Sequence, residues 1–462
     1  MSTSLQVVDK HHHLRRGNMA AENSGPHIVA LPYPGRGHIN PMLNLCRLIL
    51  DSRPDTTVSF LVTEEWLTLL AATPPPPTPN FSFHTVPNVI PSEIGRGKDF
   101  PAFYRAVLTK LEAPVEELLD RLPPPKPSVI VYDTYLTWVV GLGGRRNIPV
   151  ASFYTMSATV FSIFHHSHLI FQIGDQEEEE NLVDYIPGVP PLRVIDLPSP
   201  IHGKGNEVLP YALEAIQLVA KAQYLLFTSV YELESQVIDA LRQTIPTKIY
   251  SLGLAIPSFN ATLDDDKPHY LQWLDAQPQD SVLYISQGSF LSVSKAQFDE
   301  IVGGVSRAGV RFLWVGRGEE DRLQEKCGGI GIVVPWCDQL KVLSHPSVGG
   351  FWSHCGWNST KECAFAGLPM LTFPIFWDQV TNSKMVVEDW GLGVRVKKED
   401  DSLVREDEIA ELVLRVMDSG SSEAKERRRR AKEVQGICKS ASGVGGSSHG
   451  DVMAFIRDIC EC

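Results

Sequence analysis

The fold is indicated most clearly by residues 336–379, WCDQLKVLSHPSVGGFWSHCGWNSTKECAFAGLPMLTFPIFWDQ. Gly349–Trp352 is a short apolar run that predicts a buried strand, Ser353–Trp357 contains glycine and predicts a loop, and a predicted helix begins at Asn358. A second strand is predicted at Met370–Phe373. This order of elements is typical of an open parallel sheet with helices on its faces.

The same alternation extends outward from this stretch and predicts an α/β protein with two Rossmann-like domains. A turn-rich, charged segment at 255–268 is the expected linker between them. The predicted domains are residues 26–254 and 269–440, after a disordered leader at 1–25. Further strands are predicted at 27–32, 58–62, 129–132, 149–153, 224–227, 282–286, 312–315 and 331–334.

Composition limits the function classes. The chain has 462 residues, 42 Lys plus Arg and 55 Asp plus Glu, which gives a net charge of −13. With 43% hydrophobic and 9% aromatic residues, wholesale disorder is excluded. An acidic chain is a poor match for nucleic acid or an anionic membrane surface, so we expect a small-molecule partner.

The termini and cysteines indicate a cytoplasmic protein. The leader lacks the apolar run of a secretory signal, and the apolar stretch 148–164 is shorter than a membrane span and contains Pro149. We therefore expect no integral membrane segment. The eight cysteines show no CxxC spacing, and the group His345, His354, Cys355 and Cys363 has no regular metal-ligand pattern, so no metal is expected.

Two polar residues follow predicted strands of the amino-terminal half. His38 lies in a predicted loop within PGRGH, before a helix predicted to start at Asn40, and Asp133 ends the run VIVYD. Ligands of open parallel sheets bind beyond the carboxyl ends of the strands. A histidine oriented by an aspartate can act as a general base, but a capping histidine and a helix N-cap aspartate would give the same pattern.

The predicted helix start at Asn358 offers free N–H groups and a positive dipole end, which suit a diphosphate. Ser359 and Glu362 also fit the spacing of a capping box, which would be purely structural. Trp336 and Trp357 offer aromatic faces for a ligand ring, although packing in the core is the alternative.

Residues 336–379 closely resemble the signature box of the plant family-one UDP-glycosyltransferases. The resemblance extends to PYPGRGHINPM (32–42), VIVYD (129–133), LYISQGS (283–289), FLWVGR (312–317) and GGSS (445–448). It implies the GT-B fold, in which two Rossmann-like domains face a cleft and the segment 441–462 packs back on the first domain.

The resemblance also implies roles for individual residues. His38 matches the general base and Asp133 its partner. Cys337-Asp338 replaces the more usual Ala-Pro, which the site tolerates because the first position acts through its backbone. The implied donor site has Trp336 and Cys337 at uracil, Gln339 and Glu362 at ribose, Ser289, His354, Asn358 and Ser359 at the diphosphate, Trp357, Asp378 and Gln379 at the sugar, and Gly356 within the box.

The implied reaction is inverting transfer of a sugar from a UDP-sugar to a hydroxyl of a small lipophilic acceptor such as a flavonoid, phenolic, terpenoid or hormone. Gln379 resembles glucose-using relatives, so UDP-glucose is the expected donor, and we expect a monomer without a metal cofactor. The alternative is a catalytically silent nucleotide-sugar sensor, which would need a broken His38–Asp133 pair. A dehydrogenase would need GxGxxG after the first strand, which is absent.

Overall fold

The computed structural model describes residues 25–71, 80–173, 181–203, 205–256, 267–288, 293–316, 318–327, 329–396 and 403–461. The predicted leader lies outside these ranges except for Gly25, and most of the predicted linker, residues 257–266, also lies outside them. The domain boundaries stay predictions. The described residues form two parallel sheets, one in each half of the chain.

The first sheet is built from strands of the amino-terminal half. The described strands are β1 (His27–Leu31), β2 (Thr57–Thr63), β3 (Phe81–Val86), β4 (Val129–Asp133), β5 (Val150–Tyr154), β6 (Leu182–Val183), β7 (Leu192–Arg193), β8 (Tyr224–Phe227) and β9 (Lys248–Ser251).

Seven of these strands form one parallel sheet in the order β3-β2-β1-β4-β5-β8-β9, while β6 and β7 form a separate antiparallel pair. β1 pairs with β2 on one side and β4 on the other. The strand order reverses there, and this reversal leaves a crevice at the carboxyl ends of β1 and β4.

Helices cover both faces of this sheet. Ile28 and Ala30 of β1 pack in one core layer, while Val29 and Leu31 pack in the other, so each strand is apolar on both faces, as parallel strands are. The helices are α1 (Arg36–Ser52), α2 (Glu64–Ala71), α3 (Phe100–Lys110), α4 (Glu112–Asp120), α5 (Trp138–Arg146), α6 (Ala158–His165), α7 (Ser167–Ile173), α8 (Ser199–His202), α9 (Leu209–Leu218) and α10 (Tyr231–Thr244).

Helix α1 begins earlier than predicted. Gly35 is its N-cap in an extended conformation, so His38 lies in the first helical turn and not in a loop, and Asn40 is not the cap. The prediction placed Pro41 in the first turn of the helix, where proline is most often found. Here it lies inside the helix, where it cannot donate a hydrogen bond to the carbonyl of Gly37.

The second sheet has six parallel strands. They are β10 (Val282–Ser286), β11 (Arg311–Val315), β12 (Ile332–Val334), β13 (Val348–Ser353), β14 (Met370–Thr372) and β15 (Gly393–Arg395). Their order is β12-β11-β10-β13-β14-β15, so the strand order of this sheet also reverses at its centre, between β10 and β13.

The carboxyl-terminal helices cover this sheet and connect it to the first one. They are α11 (His269–Asp275), α12 (Lys295–Ala308), α13 (Glu320–Cys327), α14 (Gln339–Leu343), α15 (Trp357–Ala366), α16 (Gln379–Lys384), α17 (Glu406–Met417), α18 (Ser422–Ser442) and α19 (Ser447–Glu461). None of the helices within the described ranges is long and apolar enough to span a bilayer.

Helix α19 packs against the edge of the first sheet. The Phe455 ring lies 5.6 Å from Tyr224 and 5.8 Å from Tyr250 between centroids. The backbone N–H of Ser251 donates to Asp451 at 2.7 Å. The last described helix therefore contributes to the core of the amino-terminal half.

Candidate active site

A cleft of about 530 Å³ lies between the two halves, at the carboxyl ends of both sheets. This volume is within the usual range for small-molecule sites. Its lining includes almost all of the residues predicted to be functional: His38, Trp336, Cys337, Gln339, His354, Gly356, Trp357, Asn358, Ser359, Glu362, Asp378 and Gln379. Asp133 lies behind His38, and Ser289 is outside the described residues.

His38 and Asp133 form a direct pair. The Nδ1 atom of His38 lies 2.7 Å from Oδ2 of Asp133, whose side chain is 1% exposed. The other carboxylate oxygen of Asp133 accepts the backbone N–H of Tyr135 at 3.1 Å. Thr155 places its Oγ1 3.0 Å from the same ring nitrogen. With Nδ1 engaged on both sides, Nε2 is the ring nitrogen left for a ligand in the cleft.

The carboxyl-terminal half contacts the residue that precedes His38. The side-chain amide of Asn358, in the first turn of α15, donates to the carbonyl of Gly37 at 2.7 Å. That carbonyl is available because Pro41 has no N–H to bond it. The amino end of α15 is therefore tied to the residue that precedes His38.

Two glycines, Gly288 after β10 and Gly356 before α15, make room for the His354 ring. A Cβ on Gly288, which has a φ of +81°, would lie 2.6 Å from the His354 ring, and one on Gly356 would lie 2.5 Å from it. Any side chain at either position would displace the imidazole. His354 is thus held next to the free N–H groups at the start of α15.

Gln339, Ser359 and Glu362 form a small polar network. The Gln339 amide nitrogen donates to Glu362 at 2.8 Å and to Ser359 at 3.0 Å. Burial raises the pKa of Glu362 to about 7. The capping-box alternative is wrong, because α15 starts at Trp357 with Gly356 as its N-cap and no side chain caps it.

Trp336 and Cys337 both line the cleft but differ in exposure. The Trp336 side chain is 49% exposed, which is unusual for an indole and leaves its face open to a ligand ring. Cys337 is buried, with its Sγ 3.4 Å from the hydroxyl of Tyr284. The thiol is therefore engaged by the protein itself.

Asp378 and Gln379 are held by their own neighbours. Asn382, one turn later in the chain, donates to Asp378 at 2.7 Å. Burial raises the pKa of Asp378 to about 6, while His38 across the cleft favours its charged form. The side-chain oxygen of Gln379 accepts the backbone N–H groups of Ile375 and Phe376 at 2.8 and 3.0 Å. Its NH₂ group remains for a ligand.

Trp357 has a structural contact in addition to its place at the cleft. Its indole N–H donates to the carbonyl of Thr228, in the amino-terminal half, at 3.1 Å, and the side chain is buried. Its side chain therefore offers no free hydrogen-bond donor to a sugar.

Comparisons with known proteins agree with this geometry. Residues 207–414 match the family model "UDP-glucoronosyl and UDP-glucosyl transferase". UDP-glycosyltransferase 87A2 of Arabidopsis thaliana is 49% identical over 450 residues, covering 96% of this chain and 98% of its own length. UDP-glycosyltransferase 87A1 of the same plant is 50% identical over 442 residues, covering 93% and 100%. The chain belongs to the plant family-one UDP-glycosyltransferases.

Solved structures show that this glycosyltransferase has the GT-B fold. The Medicago truncatula UGT71G1 complexed with UDP-glucose matches with a TM-score of 0.80 at 25% identity, covering 96% of this chain and 100% of that one. The Phytolacca americana UGT2 complexed with UDP-2fluoro-glucose and pterostilbene matches with a TM-score of 0.79 at 27% identity, covering 94% and 100%. The predicted fold and enzyme class are confirmed.

Sequence reasoning missed several residues that shape the glycosyltransferase site. Thr155 follows β5 and Asn382 stands four residues after Asp378, so strand-end position and helical spacing were the available signals. Trp377 adopts a φ of +64°, which no pattern indicates. Within the described ranges, no group of three or more His, Cys, Asp or Glu side chains is arranged to hold a metal ion.

Proposed function

We propose that this UDP-glycosyltransferase transfers glucose from UDP-glucose to a hydroxyl of a small aromatic acceptor in one inverting displacement, with His38 as general base. The observation that carries the proposal is the 2.7 Å contact between His38 Nδ1 and Asp133 at the edge of the cleft. The carboxylate accepts a hydrogen bond from the Nδ1–H group, which leaves the lone pair on Nε2 for the acceptor hydroxyl.

In the proposed reaction the acceptor oxygen attacks the anomeric carbon as the bond from that carbon to UDP breaks. Nε2 of His38 takes the hydroxyl proton, and Asp133 stabilises the imidazolium that forms. Because the single displacement occurs from the face opposite the leaving group, the anomeric configuration inverts.

Fixed donors stabilise the departing UDP in this proposal. Negative charge develops on its diphosphate, and the N–H groups at the start of α15 lie on the cleft beside Asn358 and Ser359. Such donors need no reorganisation during the reaction, and their dipole end is positive. We assign His354 and Ser289 to the same anion, Trp336 and Cys337 to uracil, and Gln339 and Glu362 to ribose.

Glucose is the proposed sugar. The NH₂ group of Gln379 and the carboxylate of Asp378 line the cleft and suit sugar hydroxyls. The Medicago truncatula relative complexed with UDP-glucose supports this choice.

The proposed acceptor is flat and aromatic because aromatic rings surround His38. Tyr33 lies 5.0 Å and Tyr135 6.3 Å from the imidazole, measured between ring centroids. Trp377, from the opposite half, lies 6.1 Å from Tyr135. Flat ligands make favourable edge and face contacts with such rings.

The acceptor also needs oxygen atoms besides the reacting one. The hydroxyls of Tyr33 and Tyr104 are buried and have no hydrogen-bond partner in the described part of the protein. Burial raises the pKa of both tyrosines well above the usual range, so they remain donors. Phenols and flavonoids carry acceptor oxygens for such groups, and we favour them over terpenoids.

The proposal is tested by UDP release from UDP-glucose with a panel of phenolic acceptors, using the wild type and His38→Ala. We expect the variant to lose about 10²–10⁴ in kcat, the usual range for a general base, and to bind UDP normally. Undiminished turnover in His38→Ala would remove this residue from the mechanism.

A further inference from the structure

Lys361 is a buried lysine that the proposed reaction does not use. Its side chain is 3% exposed and lines the cleft, yet it forms no hydrogen bond or ion pair with any residue that the structure describes. Lys384 is buried to a similar degree, at 4% exposed, but pairs with Asp389 at 2.6 Å. A buried lysine whose ammonium has no hydrogen-bonded counter-charge is costly, so the contrast between these two lysines needs an explanation.

The position of Lys361 directs it toward the amino end of α15. It is the fifth residue of the helix, one turn after Trp357 and Asn358. Helical Cα–Cβ bonds tilt toward the amino terminus, and long side chains lie over the preceding turn. We therefore expect the lysine stem to lie along the turn that contains Trp357 and Asn358, beside the free N–H groups of the helix start.

Two sources of positive charge thus share this part of the cleft. The amino end of α15 carries a partial positive charge, and Lys361 adds a full one when its side chain is protonated. Burial lowers the pKa of Lys361 to about 7, although the neighbouring carboxylate of Glu362 favours the charged form. Glu362 makes no ion pair with it and is instead bonded by Gln339 at 2.8 Å. Among the described residues, the ammonium therefore has no hydrogen-bonded counter-charge until an anion binds.

We propose that Lys361 is a donor-binding residue whose ammonium pairs with the diphosphate of the UDP-sugar beside the start of α15. This inference rests on the proposed function, because it takes the donor site from it. The lysine compensates the two phosphate charges in the bound donor and the additional charge that develops as UDP departs. The bound donor in turn supplies a directly paired counter-charge for the ammonium.

The test compares the affinity for UDP with the affinity for uridine, which lacks phosphates, by isothermal titration calorimetry of the wild type and Lys361→Met. We expect the substitution to weaken UDP binding by about 10- to 100-fold and to leave uridine binding unchanged. We also expect kcat with UDP-glucose to fall. The unliganded variant should melt at the same temperature or higher, because an unpaired buried charge is removed.

Lys384→Met is the matched control for removing a buried lysine. It should lower the melting temperature, because Asp389 loses its partner, and keep the wild-type ratio of UDP to uridine affinity. If Lys361→Met does not fold, Lys361→Gln serves in its place, because it removes the charge and keeps a polar end group.

Equal loss of UDP and uridine affinity, or unchanged UDP affinity, in the Lys361 variant would overturn the inference. The proposed function fails separately, namely if the wild type does not bind UDP or if His38→Ala turns over at the wild-type rate.

Discussion

The two sides of the cleft employ their polar groups differently. On the carboxyl-terminal side, Gln339 is bonded to Glu362 and Asn382 to Asp378, so these ligand-facing groups, unlike Lys361, are positioned before any ligand arrives. On the amino-terminal side, the described hydroxyls of Tyr33 and Tyr104 have no partner. A pre-ordered surface suits the same nucleotide at every turnover, whereas unsatisfied donors are costly until a particular acceptor pairs with them.

This difference predicts where substitutions act. Changes on the carboxyl-terminal side should alter donor affinity, while changes on the amino-terminal side should alter turnover or the choice of acceptor. Four substitutions test this division.

The largest effect is expected for Asp133→Asn. Its amide would donate to His38 Nδ1 and move the ring proton to Nε2, so the ring could no longer accept the acceptor proton. We expect kcat to fall by about 10²–10⁴ with little change in KM for UDP-glucose, measured by UDP release. Asp55→Asn, at an exposed ion pair with Arg53, is the control. A raised donor KM with unchanged kcat would place Asp133 in donor binding.

Glu362→Gln should have the next largest effect, on the opposite kinetic constant. Losing a charge-assisted contact to ribose hydroxyls should raise the KM for UDP-glucose by about 10- to 100-fold and leave kcat nearly unchanged. Steady-state kinetics at saturating acceptor would measure both constants. Glu388→Gln, a partly exposed carboxylate outside the cleft, is the control.

The pH dependence provides a second check on Glu362. Because burial raises its pKa to about 7, the charged form is lost as pH falls through that value. Donor kcat/KM of the wild type should therefore lose a contribution below about pH 7 that Glu362→Gln does not show. An identical acid limb in both proteins would assign the titration to another group.

Tyr135→Phe should have a smaller, acceptor-dependent effect. It retains the ring that packs near His38 and Trp377 but removes a buried donor. For acceptors with a second oxygen function, kcat/KM should fall about two- to tenfold; for matched acceptors without it, little change is expected. A uniform loss for both acceptor types would show that the hydroxyl acts on structure alone.

The smallest effect is expected for Thr155→Val, which removes a hydroxyl 3.0 Å from His38 Nδ1 at nearly constant volume. Because Asp133 still orients the ring, kcat should fall only about two- to fivefold. A loss as large as that of Asp133→Asn would show that Thr155, and not the carboxylate, fixes the ring.

The same division explains what could be predicted from the sequence. Residues 336–379 lie close together in the chain, so their order alone indicates a strand, a loop and a helix start that suits a diphosphate. The amino-terminal side is assembled from distant positions. His38 and Asp133 are found because strand ends are recognisable, but Tyr33, Tyr104 and Tyr135 resemble ordinary core residues until the fold brings them together.

The elements that the sequence did not predict are mostly edge strands. β3, β9 and β15 each border only one neighbour, and their runs are short or half exposed, so they lack the continuous apolar pattern of central strands. The start of α1 was predicted too late because Pro41 lies inside the helix and not in its first turn. The carbonyl of Gly37, to which Pro41 cannot donate, accepts a hydrogen bond from Asn358 instead.

The packing of α19 on β9 has a consequence for the order of folding. Lys248 and Ser251 of that edge are bonded by Asp458 and Asp451, which lie about two hundred positions further along the chain. During synthesis the amino-terminal half must therefore leave the ribosome with this face uncovered and wait until the whole carboxyl-terminal half has followed. The residues that orient the imidazole are translated early, but their surroundings are completed late.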